Sequence, residues 1–162
     1  MITFVPRVSE LTHERVSREF DDFGPAACRA EVSALLADEN PEILDMMTRC
    51  ANDLSTATMD VMTGFAMFYR LLIAEARASL GFRLPRVTAE TRARIVEELS
   101  ELGEDQFTLA ACDQLGKDNP ELLRMAEGFA SRRTNYLAIM QGFCLIYGTL
   151  ALQSKLEHGS VH

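Results

Sequence analysis

The chain has 162 residues, of which 48% are hydrophobic and 25% are charged, and its formal net charge is −8. This length fits a single domain with a sizeable core, and the acidic charge disfavours nucleic acid as a partner because it repels phosphate backbones. The start, MITFVPRVSE, has neither the basic residues nor the apolar run of a secretory signal, so we expect a cytoplasmic protein with reduced cysteines.

Two stretches of the chain match each other from end to end. Pro6-Arg7-Val8 corresponds to Pro85-Arg86-Val87 at an offset of 79 residues, and from Met59 onward the offset is 78. A collinear match over nearly the whole chain predicts an internal duplication. We place repeat 1 at residues 4–80 and repeat 2 at residues 83–156.

Repeat 1 is predicted to be helical throughout. Ser9 is a favourable N-cap for a first helix, and Gly24 suits its left-handed C-terminal end. The apolar positions of this helix are Leu11, Val16, Phe20 and Phe23. A second helix covers residues 25–37. Asn40-Pro41 starts a third, because Asn caps the free N–H groups and Pro at the first helical position loses no hydrogen bond.

The remainder of repeat 1, Pro41–Ser79, is too long for one straight helix in a compact domain. It would span about 58 Å at ~1.5 Å per residue, whereas a globule of this size is roughly 40 Å across. Polar residues that favour helix ends cluster at Asp53–Thr56. We therefore predict a bend or break there, in preference to a continuous helix, which gives about four helices in each repeat.

Repeat 2 follows the same plan, with predicted helices at 88–102, 104–116, 120–130 and 134–156. The polar tail 157–162 is predicted to be flexible. We predict an all-α fold in which two similar helical repeats pack around a pseudo-two-fold axis, as a single domain over residues 1–156. In this general plan the chain resembles the N-terminal modules of Clp-type ATPases, which also consist of two repeats of similar length and bind adaptors or peptides. The resemblance is one of plan only, because the His-Leu-Leu segment characteristic of that family is absent.

The last helix of each repeat is apolar nearly all round, which is typical of a helix buried on most sides. The matching stretches are Met59–Leu72 and Leu137–Leu150. The charge-free run Tyr136–Leu152 by itself suggests a membrane span. However, the matching part of repeat 1 carries Asp60 and Arg70, which are costly in lipid, so we expect a buried helix and no membrane.

Gly64 and Gly142 lie inside these helices, where glycine costs about 1 kcal/mol relative to alanine. Their presence at matching positions suggests that two helices cross closely there, with one glycine against the other. We favour this packing role over the alternative, which is room for a ligand.

Four side chains in these helices are candidates for binding a ligand between the repeats: Tyr69, Arg70, Gln141 and Tyr147. A tyrosine hydroxyl in apolar surroundings needs a hydrogen-bond partner. Arg70 allows three interpretations: a head group in water at the edge of the core, a structural ion pair, or a bound anion. Gln141, which aligns with Thr63, would join such a site.

The four cysteines form no C-x-x-C pair, and most of their counterparts in the other repeat are apolar. They are Cys28, Cys50, Cys112 and Cys144, and their counterparts are Phe107, Phe129, Ser33 and Ala66. We interpret them as buried, unreactive thiols. Because the chain contains no metal, nucleotide or hydrolase motif, we predict no cofactor, no metal site and no catalytic residue.

The leading functional hypothesis is a non-enzymatic interaction or scaffold protein, whose partner is another protein or a second copy of the chain in a homodimer. The alternative is a small-molecule or anion binder with a pocket between the two repeats. An enzyme would need titratable groups that converge in a cavity, and only Arg70 and the two tyrosines are candidates for that role.

Overall fold

The helices begin and end close to the capping residues of the sequence. The computed structural model describes residues 2–54, 58–79 and 82–159, and in this part of the chain it contains eight α-helices, as predicted for an all-α fold. The helices of the first half are α1 (Glu10–Phe23), α2 (Pro25–Glu39), α3 (Pro41–Asn52) and α4 (Thr58–Ala78). Those of the second half are α5 (Ala89–Leu102), α6 (Glu104–Asp118), α7 (Pro120–Ser131) and α8 (Tyr136–Gly159).

The first helix of each half has the same caps. The Ser9 hydroxyl accepts a hydrogen bond from the Thr12 N–H at 3.1 Å, which satisfies one of the free N–H groups of α1. Thr88 does the same for α5. At the other ends, Gly24 and Gly103 have φ angles of 88° and 84°, which only glycine adopts without strain.

The predicted break in the first half is confirmed. α3 ends at Asn52 and α4 begins at Thr58, so the two are separate helices. Residues 55–57 of the predicted break lie outside the described residues. The break lets α4 fold back into the middle of the bundle, where most of its side chains are buried.

α4 and α8 lie at the centre of the protein and carry its aromatic core. Phe143 of α8 is surrounded by three rings, those of Phe65 and Phe68 of α4 and of Phe129 of α7, with centroid distances of 5.2, 4.9 and 6.0 Å. Such edge-on and offset rings contribute more than their buried area alone. The core is therefore shared by helices of both halves.

The two glycines of the central helices make room for rings and not for each other. A Cβ atom at Gly64 would overlap the Phe129 ring, and one at Gly142 would overlap the Phe65 ring. The packing role predicted for these glycines is thus observed, but the predicted glycine-to-glycine crossing is wrong. A phenylalanine side chain fills the space that the missing Cβ atoms leave.

Two buried asparagines hold the start of the opposite half. Asn40, between α2 and α3, is 1% exposed. Its Oδ1 accepts from the Val87 N–H at 2.9 Å, and its Nδ2 donates to the Pro85 carbonyl at 2.7 Å. Nδ2 also lies 3.2 Å from the Tyr69 hydroxyl.

Asn119, between α6 and α7, makes the same contacts in the other direction. Its Oδ1 accepts from the Val8 N–H at 2.8 Å, and its Nδ2 donates to the Pro6 carbonyl at 2.7 Å. We call Asn40 and Asn119 the asparagine clamps. Because each clamp satisfies buried backbone groups of the opposite half, the two halves stabilise each other.

A short strand pair and the end of α8 join the chain start to the second half. β1 (Ile2–Thr3) pairs in parallel with β2 (Phe82–Arg83), a contact that the sequence did not predict. Nε2 of His158, near the end of α8, lies 2.6 Å from the Thr3 carbonyl. The helix thus continues three residues into the predicted flexible tail 157–162, of which residues 160–162 lie outside the described residues.

α8 is the one described helix that is long and apolar enough to cross a membrane by length and composition alone. Its most apolar window has a mean hydropathy of 1.4, and 61% of that window is buried inside the protein. The central helix of a globular core passes the same test. The apolar side chains of α8 are therefore accounted for by packing within the bundle.

Candidate functional site

The predicted ligand residues Tyr69 and Tyr147 are both buried and hydrogen-bonded to the asparagine clamps. Tyr69 pairs with Asn40, and Tyr147 with Asn119. Burial raises the pKa of each phenol to about 12, so both stay protonated. Tyr69 also borders a cavity of about 690 Å³ near β2.

Arg70 forms a structural ion pair, which was one of its three predicted interpretations. Its guanidinium lies 2.9 Å from a Glu19 carboxylate oxygen and 3.3 Å from one of Glu31, and its side chain is 16% exposed. These contacts compensate the desolvation of a largely buried cation. The cavity beside it, about 470 Å³, lies between α1, α2 and α4.

Gln141 lies away from the other candidates, in a cavity of about 370 Å³ that also exposes Asp53, Glu104 and Asp105. Tyr69, Arg70 and Gln141 therefore border three different cavities, and the structure does not bring them into one pocket. Ligand binding at any one of them stays a prediction.

The largest cavity described here lies between the halves and is lined mainly by residues that the sequence did not single out. It has a volume of about 1000 Å³ and is open to solvent between α1, α2 and α4 on one side and α7 on the other. Four arginines and one aspartate line it: Arg29, Arg124, Arg132, Arg133 and Asp60. We call it the arginine cleft. Its positive lining contrasts with the net charge of −8 of the whole chain.

Arg133 is held rigidly at one edge of the arginine cleft. Its Nη2 donates to Asp60 at 2.9 Å, its Nη1 donates to the Phe129 carbonyl at 2.6 Å, and its guanidinium carbon lies 3.5 Å from the centre of the Phe129 ring. The hydrogen bond from Arg133 holds the pKa of Asp60 below its usual value. This pair closes the edge of the cleft and leaves the other arginines to face its interior.

Arg29 and Arg132 have no carboxylate within ion-pair distance among the described residues. Arg29 is half-buried, and its Nη1 donates to the Thr63 hydroxyl at 2.6 Å, which fixes the guanidinium at the wall of the cleft. A guanidinium has five N–H donors, so most of those on Arg29 are available to a ligand. These two side chains are the strongest anion-binding groups of the cleft.

His13 and Arg124 meet one carboxylate at the far end of the cleft. Nδ1 of His13 lies 2.6 Å from Glu121, and Arg124 also pairs with Glu121. Burial raises the pKa of Glu121, but the hydrogen bonds from Arg124 and His13 outweigh this effect and lower it overall. Arg92 in the second half makes the corresponding contacts with Glu42 and Asp45.

The cavity of Gln141 occupies the place in the second half that the arginine cleft occupies in the first. Arg29 corresponds to Thr108 and Arg132 to Asp53 at an offset of 79 residues, and Thr63 corresponds to Gln141 at an offset of 78. One place is therefore basic and the other acidic, so a ligand that suits the first is repelled by the second.

Sequence reasoning missed the arginine cleft because its residues are far apart in the chain. Arg29 lies on α2 and Arg132 follows α7, and only the docking of α7 against the first half brings them together. The available signal was the replacement of Asp53 by Arg132 at matching positions, which reverses the charge at a site otherwise kept in both halves.

The prediction of four buried cysteines holds for two of them. Cys28 and Cys144 are buried, whereas Cys50 and Cys112 are partly exposed. The sulfur atoms of Cys112 and Cys144 lie 3.5 Å apart, a proximity that spacing in the sequence does not reveal.

Comparison with known proteins adds no assignment to this geometry. The plan-level resemblance to Clp-type N-terminal modules finds no support in a structural match. No protein-family model, curated protein or solved structure matches this chain, so its function is inferred from the cleft itself.

Proposed function

We propose that the protein is a non-enzymatic interaction protein, and that its arginine cleft binds an acidic segment of a protein partner. The observation that carries the proposal is the grouping of four arginines in one open cavity of an otherwise acidic protein. A cluster of like charges opposes folding, so its presence between the halves calls for a negatively charged ligand.

The size and lining of the cleft favour a peptide segment over a small ion. A volume of about 1000 Å³ is far larger than a phosphate or sulfate needs. Apolar side chains lie among the arginines, namely Phe20, Met67, Met125 and Phe129. Methionine and phenylalanine suit the apolar side chains of a peptide, while guanidinium groups pair with its carboxylates in bidentate fashion.

Fluorescence anisotropy tests this proposal with a labelled peptide of about ten residues that alternates glutamate and leucine. The double variant Arg29→Gln, Arg132→Gln removes the two arginines without a carboxylate partner. We expect it to bind roughly tenfold more weakly or worse, because a hydrogen bond to a charged group contributes ~1.5–3 kcal/mol. Arg94→Gln, which removes an exposed charge on α5, is the matched control and should bind like the parent.

The salt dependence gives a second readout. Binding should weaken as the salt concentration rises from about 50 mM to about 500 mM, because the Debye length shortens. A peptide with lysine in place of glutamate should not bind. Equal binding by the parent and by the Arg29→Gln, Arg132→Gln variant contradicts the proposal.

The alternative is a small-anion binder in the same cleft, and thermal shifts separate the two. If inorganic phosphate raises the melting temperature of the parent but not of the arginine variant, and the acidic peptide does not bind, the cleft holds a small anion. If the peptide binds and competes with phosphate, the partner is the acidic segment.

We also infer that the halves are copies of one ancestral segment, related by a pseudo-two-fold axis. Matching helix ends support this: α1 and α5 both begin and end 79 residues apart. The clamps support it as well, since Asn40 and Asn119 share a φ angle near −150° (−153° and −149°) and make reciprocal contacts. Superposition of the halves in an experimental structure tests this inference.

A further inference from the structure

Two cysteines of the second half face each other across two packed helices. Cys112 lies on α6 and Cys144 on α8, and their sulfur atoms are 3.5 Å apart. A disulfide bond is about 2.05 Å long, so the sulfurs need to approach by about 1.5 Å. Small rotations of the two side chains about their Cα–Cβ bonds supply such a movement without displacing the helices.

The two thiols differ in access. Cys144 is 1% exposed and sits in the core, whereas Cys112 is partly exposed. A small oxidant in solvent therefore reaches Cys112 first. The other two cysteines lack such a neighbour: the structure places Cys28 on α2 and Cys50 on α3, and of the described cysteines only Cys112 and Cys144 are in contact.

We propose that Cys112 and Cys144 form a reversible disulfide when the protein meets a hydroperoxide, and that this bond ties α6 to α8. The thiolate of Cys112 attacks one oxygen of the peroxide, the O–O bond breaks, and water or an alcohol leaves after taking up a proton. Cys112 is then a sulfenic acid.

The second step closes the bond. The Cys144 sulfur attacks the Cys112 sulfur, the S–O bond breaks, and the departing hydroxide takes the Cys144 proton and leaves as water. Two thiols have then lost two electrons and the peroxide has gained them. A dithiol reductant reverses the change by thiol–disulfide exchange.

The electrostatics of the pair agree with these roles. The hydrogen bond from Cys144 lowers the pKa of Cys112, and the same contact, together with burial, raises that of Cys144. A lowered pKa increases the thiolate fraction of the exposed partner. By contrast, burial raises the pKa of Cys50 to about 11, which makes it a poor nucleophile at neutral pH.

The bond would enclose the chain from Cys112 to Cys144, which contains the whole of α7 and therefore one wall of the arginine cleft. Closing a loop of this length restricts the unfolded chain, so the oxidised protein should melt about 5–10 °C higher. This effect does not depend on what the cleft binds.

Intact-mass analysis after treatment with hydrogen peroxide tests the proposal. We expect the parent to lose about 2 Da, corresponding to two hydrogens, and to regain them with dithiothreitol. Peptide mapping should find Cys112 joined to Cys144, with Cys28 and Cys50 still free. The variant Cys28→Ala, Cys50→Ala keeps only the proposed pair and should behave like the parent.

Two further variants provide the controls, since they introduce the residues found at the matching positions of the first half. Cys112→Ser and Cys144→Ala should neither lose the two hydrogens nor gain thermal stability on oxidation. If either fails to fold, as judged by circular dichroism, the mapping of the Cys28→Ala, Cys50→Ala variant decides alone. Four free thiols after treatment, oxygen adducts on Cys112 without a bond, or a disulfide that includes Cys28 or Cys50 would each overturn the proposal.

Discussion

Removal of the Asn40 side chain is expected to cost a large share of the stability of the protein. Asn40→Ala deletes the acceptor of the Val87 N–H and the donor to the Pro85 carbonyl, two buried backbone groups. It also removes the hydrogen-bond partner of the Tyr69 hydroxyl. A buried group left without a partner costs about 1–3 kcal/mol, so the two backbone groups give roughly 2–6 kcal/mol.

This loss is large against the total. Domains are stable by about 5–15 kcal/mol, and in a chain of this length each kcal/mol shifts the melting temperature by about 2–4 °C. A central loss of ~3 kcal/mol therefore lowers the melting temperature by about 10 °C. Asn119→Ala should have a similar effect, because Asn119 makes the same two backbone hydrogen bonds.

Urea unfolding followed by circular dichroism measures the loss directly. The matched control is Asn52→Ala, which truncates an exposed asparagine at the end of α3 and should change the free energy of unfolding by less than about 0.5 kcal/mol. If Asn40→Ala is as harmless as Asn52→Ala, the clamps do not hold the halves together and the reasoning is refuted.

Three other changes test the packing and the titrating groups. Gly142→Ala should destabilise the protein by about 1–3 kcal/mol in urea unfolding, because the new Cβ overlaps a buried ring. Gly128→Ala, where no atom lies within 4 Å, should instead stabilise it by up to about 1 kcal/mol. Because the hydrogen bond from Arg133 lowers the pKa of Asp60, that carboxylate contributes stability above its ordinary pKa of 3.8, and the contribution is lost as the pH falls through the lower folded-state value. The urea midpoint of Asp60→Asn should therefore fall less than that of the parent on acidification from pH 6, and equal slopes would contradict this. Burial raises the pKa of Tyr69 to about 12, so its contribution is complete below the ordinary pKa of 10 and is lost between pH 10 and 12; Tyr69→Phe should reduce the loss of stability in that range.

The helices were predictable because their ends are marked by residues with local physical effects. Asn40-Pro41 and Gly24 act within one turn of the chain, so they operate in the same way wherever the helix packs. The break before α4 was predictable from the limit that a compact domain sets on helix length. These signals fixed the number and order of the helices.

The faces of the helices were harder to predict. Leu11 and Phe23 belong to the apolar pattern of α1, yet they are 76% and 75% exposed. Val16 of the same helix is buried, at 2% exposure. Which apolar residues face the core depends on the rotation of α1 against α4, and sequence spacing alone does not determine that rotation.

The candidate site was the least predictable part. Arg70 stood out because it interrupts an apolar stretch, but its carboxylate partners come from α1 and α2. The arginines that line the cleft stand in polar surroundings in the sequence, where a charged residue needs no explanation. Their importance comes from convergence between elements more than a hundred residues apart, and no local pattern records it.

The reciprocity of the asparagine clamps has a consequence for how the protein folds. Neither half contains the partners of its own clamp, because those partners lie at the entrance to the first helix of the other half. A lone half would bury an amide with nothing to bind, and would fold only when it meets a complementary half, whether on the same chain or on another. Separately produced halves should thus assemble on mixing, and at high concentration two whole chains can exchange halves and keep every clamp satisfied.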